Sequence, residues 1–243
     1  MKLWKFIFIV SVLPLSTSVG ASMILLSDNT GAGLSVYDRL VGLGHSVTIS
    51  DSSTWDASFD YSIYDVVAFE YASKNPFDMS NFVDAVSTNQ VGALFFRGAD
   101  AESTSFALGL TSTSTNTLNW QTPTSLDIVD NSHYITSGLS TGANDLGYSY
   151  MSYVNNPGAD TTVLGNGSSG ASLVVHNTLR AAITPFYGHT SGYDNETQIG
   201  LDITQRSIEW AAGATVVPVP ASVWLFGSGL LVLFTAAKRK ARP

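Results

Sequence analysis

Apolar residues in the first hundred positions fall into short blocks separated by polar turns. Met23–Ser27 (MILLS), Ser46–Ser50 (SVTIS), Asp65–Phe69 (DVVAF) and Val91–Phe96 (VGALFF) are four such blocks. Blocks of this length, rich in Val, Ile and Phe, predict strands. Between the first two, Leu34, Tyr37, Leu40 and Val41 recur at helical spacing, and Gly42 and Gly44 end the pattern. Between the third and fourth, Asn81–Val86 reads as a helix with Phe82, Val83 and Val86 on one face. Strands that are nearly continuous in apolar residues and alternate with helices predict a parallel sheet covered on both faces.

The second half is richer in strand blocks: Ser125–Val129, Gly147–Val154, Thr161–Leu164, Ala171–Val175 and Arg180–Phe186. A closing helix is predicted over Leu201–Ala212, with Ile203, Ile208 and Trp210 as its bulky apolar residues and Gly213 at its C-terminal end. No repeat with a period of about 20 to 50 residues is present.

The two ends differ from this middle. Residues 1–21 have the layout of a secretory signal peptide. Lys2 and Lys5 are followed by an apolar run from Phe6 to Leu15, with Val19 and Ala21 at the −3 and −1 positions of a cleavage site. Residues 22–213 form the predicted domain, and 214–220 a linker containing Pro218 and Pro220. Residues 221–237 are uncharged and near the lower length limit of a transmembrane helix. Residues 238–243 are a basic tail with Lys238, Arg239 and Lys240. Positive charge stays cytoplasmic, so the domain is expected outside the inner membrane.

Composition sharpens this. Charged residues make up only 12% of the 243 residues, and cysteine is absent. The lack of Cys removes disulfides, thiolate metal sites and thiol nucleophiles together. Setting aside the six basic residues of the two ends leaves Arg39, Lys74, Arg97, Arg180 and Arg206 against nineteen acids, a net charge of −14. Such a surface repels phosphate backbones and argues against nucleic-acid binding.

The stretch VPVPASVWLFGSGLL followed by KRKAR resembles the PEP-CTERM sorting signal, with Pro218 and Pro220 in the proline motif and Val219 where the family name has Glu. The resemblance implies a Gram-negative host, an exosortase partner that processes the tail in the inner membrane, and an exopolysaccharide or biofilm matrix as destination. A permanent membrane anchor is the other reading of the same tail.

Within the domain, three stretches resemble the class I glutamine amidotransferase-like fold and its trehalose-utilisation-like group. They are ILLSDNTGAGLSVYDRLVGLGHSVTI, the HYITSGL segment at His133–Leu139, and FYGHTSGYDNETQIGLDITQRSIEWAAG. The resemblance implies a flavodoxin-like α/β domain with a mostly parallel sheet and helices on both faces. Its nucleophilic cysteine would stand just after the fourth strand, where this chain has Arg97, Gly98 and Ala99.

Candidate binding residues follow the strands. Asp28, Asn29 and Thr30, with Ser27, form a loop at a strand's carboxyl end, where parallel sheets host ligands. Gly31-x-Gly33 lacks the third glycine of a dinucleotide fingerprint, which leaves a tight turn as the simpler reading. Arg97 suits a carboxylate or sulfate, against the plainer reading of a salt bridge to Asp100 or Glu102. His189 matches the Gly-His of the trehalose-utilisation-like pattern and is the one candidate for catalysis, against a capped loop histidine.

Of the other histidines, His45 is expected at the surface, His133 in a structural hydrogen bond and His176 at a strand end. Asp194, Asn195 and Glu196 lack the order of a calcium loop and read as a solvated loop. Tyr148, Tyr150 and Tyr153 are spaced for stacking on sugars or for packing on the core, and the second is favoured. No cofactor or metal is implied.

The leading expectation is a non-catalytic glycan- or ligand-binding domain on an exported surface or matrix protein. Two alternatives stay open: an exported hydrolase of matrix carbohydrate, and a purely structural matrix component.

Overall fold

The computed structural model describes residues 21–28, 34–70, 73–96, 101–115, 118–122, 125–186 and 196–214. Five strands in it run parallel. They are β1 (Met23–Ser27), β2 (Ser46–Ser50), β3 (Val66–Phe69), β4 (Gly92–Phe95) and, from the far end of the chain, β11 (Ala181–Ile183), in the spatial order β2-β1-β3-β4-β11. Three helices, α1 (Leu34–Gly42), α2 (Met79–Ser87) and α4 (Gln198–Ala211), pack on this half. A fourth, α3 (Glu102–Ala107), follows β4 in the chain.

The alternation of side chains across each strand sorts the core into two layers. Ile24, Leu26, Val66, Ala68, Leu94 and Ala182 share one cluster with Val36 and Leu40 of α1 and Ile203, Ile208 and Ala211 of α4. Leu25, Val67, Phe69, Ala93, Phe95 and Ile183 share the other with Trp55 and with Phe82, Ala85 and Val86 of α2. Helices therefore cover both faces, and β3 and β4 are buried at every position.

Local chemistry sets the helix ends. Asp78 caps α2 by accepting from the Asn81 N–H at 3.1 Å. Gly44, at φ 92°, turns the chain out of α1, and the His45 N–H closes back on the Leu40 carbonyl at 3.2 Å. Thr197 caps α4 and Gly213, at φ 101°, follows its end. At Gly92 a Cβ would lie 2.2 Å from the Ala211 carbonyl oxygen, so β4 and α4 meet backbone to backbone there.

The remaining strands are β5 (Leu118–Gln121), β6 (Ser125–Ile128), β7 (Gly142–Asp145), β8 (Met151–Val154), β9 (Thr161–Asn166) and β10 (Ala171–His176). They continue the sheet as β11-β10-β9-β6-β7, with β8 on β10 and β5 on β8, and every one of these pairings is antiparallel. The expectation of a mostly parallel sheet is corrected here: parallel pairing stops at β11. Strand direction is set by connections, not periodicity. β9 and β10 are joined by a four-residue turn at Gly167–Gly170, which permits only an antiparallel pair.

The four predicted first-half strands match within one residue at each end, and α2 starts two residues earlier than predicted. The predicted strand at Gly147–Val154 shortens to Met151–Val154, because Tyr148 leaves the strand to pack beneath α4. Strands β5 and β7 and helix α3 are additions to the sequence reading. They are four to six residues long, and β7 is built of Gly, Ala, Asn and Asp, which carry little strand preference. Among the described residues no helix is long and apolar enough to cross a membrane. Segments 1–20 and 215–243, with the signal peptide and with Pro218, Pro220, Lys238, Arg239 and Lys240, lie outside those residues.

Candidate functional site

Parallel strands all deliver their carboxyl ends to one edge of the sheet. At this edge β1 ends in Ser27 and β2 in Ser50, and Asp28, Glu70, Phe96 and Thr184 directly follow β1, β3, β4 and β11. Serine hydroxyls tie the loops that leave it. Ser27 Oγ donates to Ser52 Oγ at 2.8 Å, and Ser52 Oγ donates to the Lys74 carbonyl at 2.7 Å. Ser73 Oγ donates to the Ser27 carbonyl at 2.6 Å and accepts from the Glu70 N–H at 2.7 Å. The Asp28 N–H donates to the Ser50 carbonyl at 3.1 Å. Three loops are thus cross-linked around two buried acids, Asp28 and Glu70.

Asp28 and Glu70 each follow the last paired residues of β1 and β3, Ser27 and Phe69. The alternation that sends Leu26 and Ala68 into one core layer assigns both acids to that same side. Neighbouring strands are about 4.8 Å apart. Two carboxylates therefore start from adjacent positions at the mouth of the sheet.

A second polar group lies on the same side. Glu196, just before α4, is ion-paired with Arg39 of α1, and both side chains are largely buried. Burial raises the Glu196 carboxyl above its ordinary value, opposed by the Arg39 guanidinium. The Tyr148 hydroxyl donates to the Gly200 carbonyl at 3.0 Å and lies 3.2 Å from Thr204 Oγ1. Phe186 stands edge-on to both Phe96 and Tyr148, with ring centroids 5.0 and 5.9 Å away. This aromatic column joins the end of β4 to the start of α4. The reading of Glu196 as part of a solvated loop is corrected: its charge is held by Arg39.

Of the ligand-binding candidates, Asp28 lies at this edge and is buried. Asn29, Thr30, Arg97 and His189 lie outside the described residues. The chain enters those stretches at Asp28, Phe96 and Phe186, all at the same edge.

The other histidines are structural. His45 is buried, correcting its assignment to the surface. Its Nδ1 accepts from the Ser22 N–H at 3.2 Å, which leaves Nε2 to donate to Gln205 Oε1 at 3.1 Å. His133 Nδ1 accepts from the Ile135 N–H at 3.2 Å, and its ring stands 5.3 Å from Trp210. His176 Nδ1 accepts from the Thr178 and Leu179 N–H groups. Burial lowers the pKa of all three below 6.5. Among the described residues no cluster of three or more His, Asp or Glu could hold a metal ion.

Sequence reasoning missed Glu70 and Arg39. Glu70 ends an apolar strand block with a charge, the pattern that singled out Asp28, and so was findable; the Arg39–Glu196 pair joins residues 157 positions apart and was not.

Neither protein-family models nor curated proteins match this chain. Solved structures do. A protein described as a GMP synthase subunit, from Thermoplasma acidophilum, superposes with a TM-score of 0.52 at 15% identity, over 79% of this chain and 94% of its own. The structure of PurLQS from Thermotoga maritima superposes with a TM-score of 0.50 at 10% identity, over 79% of this chain and 98% of its own. The domain has the glutamine amidotransferase class I-like fold, a mixed α/β sheet with helices.

Proposed function

We propose that this chain is an exported surface or matrix protein whose amidotransferase-like domain binds a glycan or small ligand without cleaving amides. The observation that carries the reading is an amidotransferase-like fold in a chain with no cysteine. The amidotransferase mechanism needs a thiolate nucleophile, and no residue here supplies one. The binding edge is the carboxyl end of β1, β3, β4 and β11, with Asp28 on it; in sequence Asn29 and Thr30 follow Asp28, Arg97 follows Phe96, and His189 comes three residues after Phe186. The tail, with Pro218, Pro220, Lys238, Arg239 and Lys240, is a sorting signal for an exosortase, by way of the inner membrane, toward an exopolysaccharide-containing matrix.

A second reading, an exported carbohydrate hydrolase, is favoured by one observation. Asp28 and Glu70 directly follow paired positions of adjacent strands, and retaining glycosidases use paired carboxyls about 5 to 5.5 Å apart.

The test uses the full chain in a Gram-negative host with an exosortase and in its exosortase-deletion strain. The tail is expected to be shortened in the first and intact in the second, as read by mass spectrometry. An identical tail in both overturns the sorting reading. The purified protein is then mixed with the host exopolysaccharide, following heat of binding and products. Heat without products supports the binding module. Products that vanish in Asp28→Asn, Glu70→Gln or His189→Ala establish the hydrolase. Neither heat nor products, from a folded protein, leaves a structural matrix component.

A further inference from the structure

The antiparallel half contains long stretches without charge. No Asp, Glu, Lys or Arg occurs between Glu102 and Asp127, between Asp145 and Asp160, or between Asp160 and Arg180. These stretches supply β5, β8, β9 and β10. Within them stands Trp120 on β5, with 48% of its surface exposed. Its ring meets Tyr150 edge-on, with centroids 5.1 Å apart and planes at 88°.

A single exposed aromatic is ordinary on a protein surface. This one differs in how it is held. Among the described residues β5 pairs only with β8, so Trp120 lies on an edge strand, yet the strand is held on both sides of it, at Leu118 and Gln121. The Leu118 N–H donates to Glu102 Oε1 at 3.0 Å. Gln121 is buried, donating to Ser172 Oγ at 3.0 Å and accepting from Ser168 Oγ at 3.0 Å and from the Ser169 N–H. Opposite Trp120, Ser152 is buried and bonded to the Pro185 and Phe186 carbonyls. A large ring on so fixed a support loses little freedom when a ligand covers it.

We infer that the exposed Trp120 ring, flanked at right angles by Tyr150, is a stacking platform for a neutral polysaccharide. A sugar ring offers an apolar C–H face to an aromatic surface and hydroxyls to amides and hydroxyls around it. This lobe has both, in Trp120 with Tyr150 and in its Asn, Ser and Thr residues. Anionic polysaccharides would need Arg or Lys partners, which these stretches lack. The inference rests on the matrix reading for the source of the glycan but not for the site, which is on different strands from Asp28 and Glu70.

The test uses the full chain in detergent, with cellohexaose, laminarihexaose and an isomaltohexaose as neutral probes and dextran sulfate as the charged one. At least one neutral hexaose is expected to bind by calorimetry. Trp120→Ala should weaken it about tenfold or more, Trp120→Tyr should keep most of it, and Ile63→Ser, at an exposed position of the parallel half, should leave it unchanged. The melting temperature of each variant checks that it is folded. Equal binding by a folded Trp120→Ala, preference for dextran sulfate, or no binding of any neutral probe overturns the platform. So does a dimer that Trp120→Ala dissolves, which would make this edge a contact between two copies. Loss of binding in Asp28→Asn but not in Trp120→Ala places the glycan at the parallel edge instead, so the two sites fail separately.

Discussion

The parallel and antiparallel halves of the sheet are built by different means. β3 and β4 are buried at every position between helices, and their aromatic residues stack on one another, Phe69 on Phe95 at 4.8 Å and 7°. β6 alternates buried with exposed residues, and β7 and β9 leave most positions partly open. There, buried amides and hydroxyls hold the strands and turns: Gln121 on Ser172 and Ser168, Asn144 on the Ser140 and Gly142 carbonyls. A sheet sealed by helices on both faces offers a ligand only its edge. A sheet with one face open offers a surface; β6 and β7 carry the exposed acids Asp127 and Asp145, whereas β5, β8, β9 and β10 contain no Asp, Glu, Lys or Arg.

The comparison breaks most decisively at Arg39. Replacing it with Met leaves the Glu196 carboxylate buried and unpaired, and should cost about 3 to 5 kcal/mol in urea unfolding. Adding Glu196→Leu should return most of that loss; if the double variant is no better than the single, the pair is not what holds α1 to α4. Gly92→Ala should cost about 1 to 3 kcal/mol, because the added methyl meets the Ala211 backbone. Gly42→Ala, where nothing lies within 4 Å of the new atom, is the control and should not destabilise.

Gln121→Ala tests the other half. It orphans the Ser169 N–H and two serine hydroxyls and should cost about 1 to 2 kcal/mol, with faster amide exchange confined to residues 166–170. A cost below about 0.5 kcal/mol would mean that packing, not polar clamps, holds this half too.

The smallest expected effect is with pH. His45 and His133 have folded pKa values lowered from 6.5 by burial, so the folded protein resists their protonation more than the unfolded chain does. Their stabilising share is complete above pH 6.5 and is lost as pH falls through 6.5 toward the lower folded values. The melting temperature should therefore drop between pH 7.5 and 5.5, and His45→Gln should flatten part of that slope. An unchanged slope would exclude His45 as a contributor.

Much of the parallel half was legible in the chain itself. Continuous apolar blocks can be satisfied only between two covered faces, so MILLS, DVVAF and VGALFF declared both their strands and their layer. Glycines past a helical stripe marked the end of α1 because few other residues adopt the left-handed turn that Gly44 takes. Asp28 was found because it follows a strand directly. Tertiary structure decided the rest. It set the direction of the second-half strands, since alternation reads the same both ways along a strand. It inserted β11 beside β4, a parallel contact between residues nearly ninety positions apart. It buried His45 and Glu196, whose partners Gln205 and Arg39 are distant in the chain. It also brought Trp120 to Tyr150, thirty residues apart, on a strand too short for its sequence to announce. A pattern along the chain records how much each residue avoids water; which residues share the space that water leaves is fixed only when the strands pair.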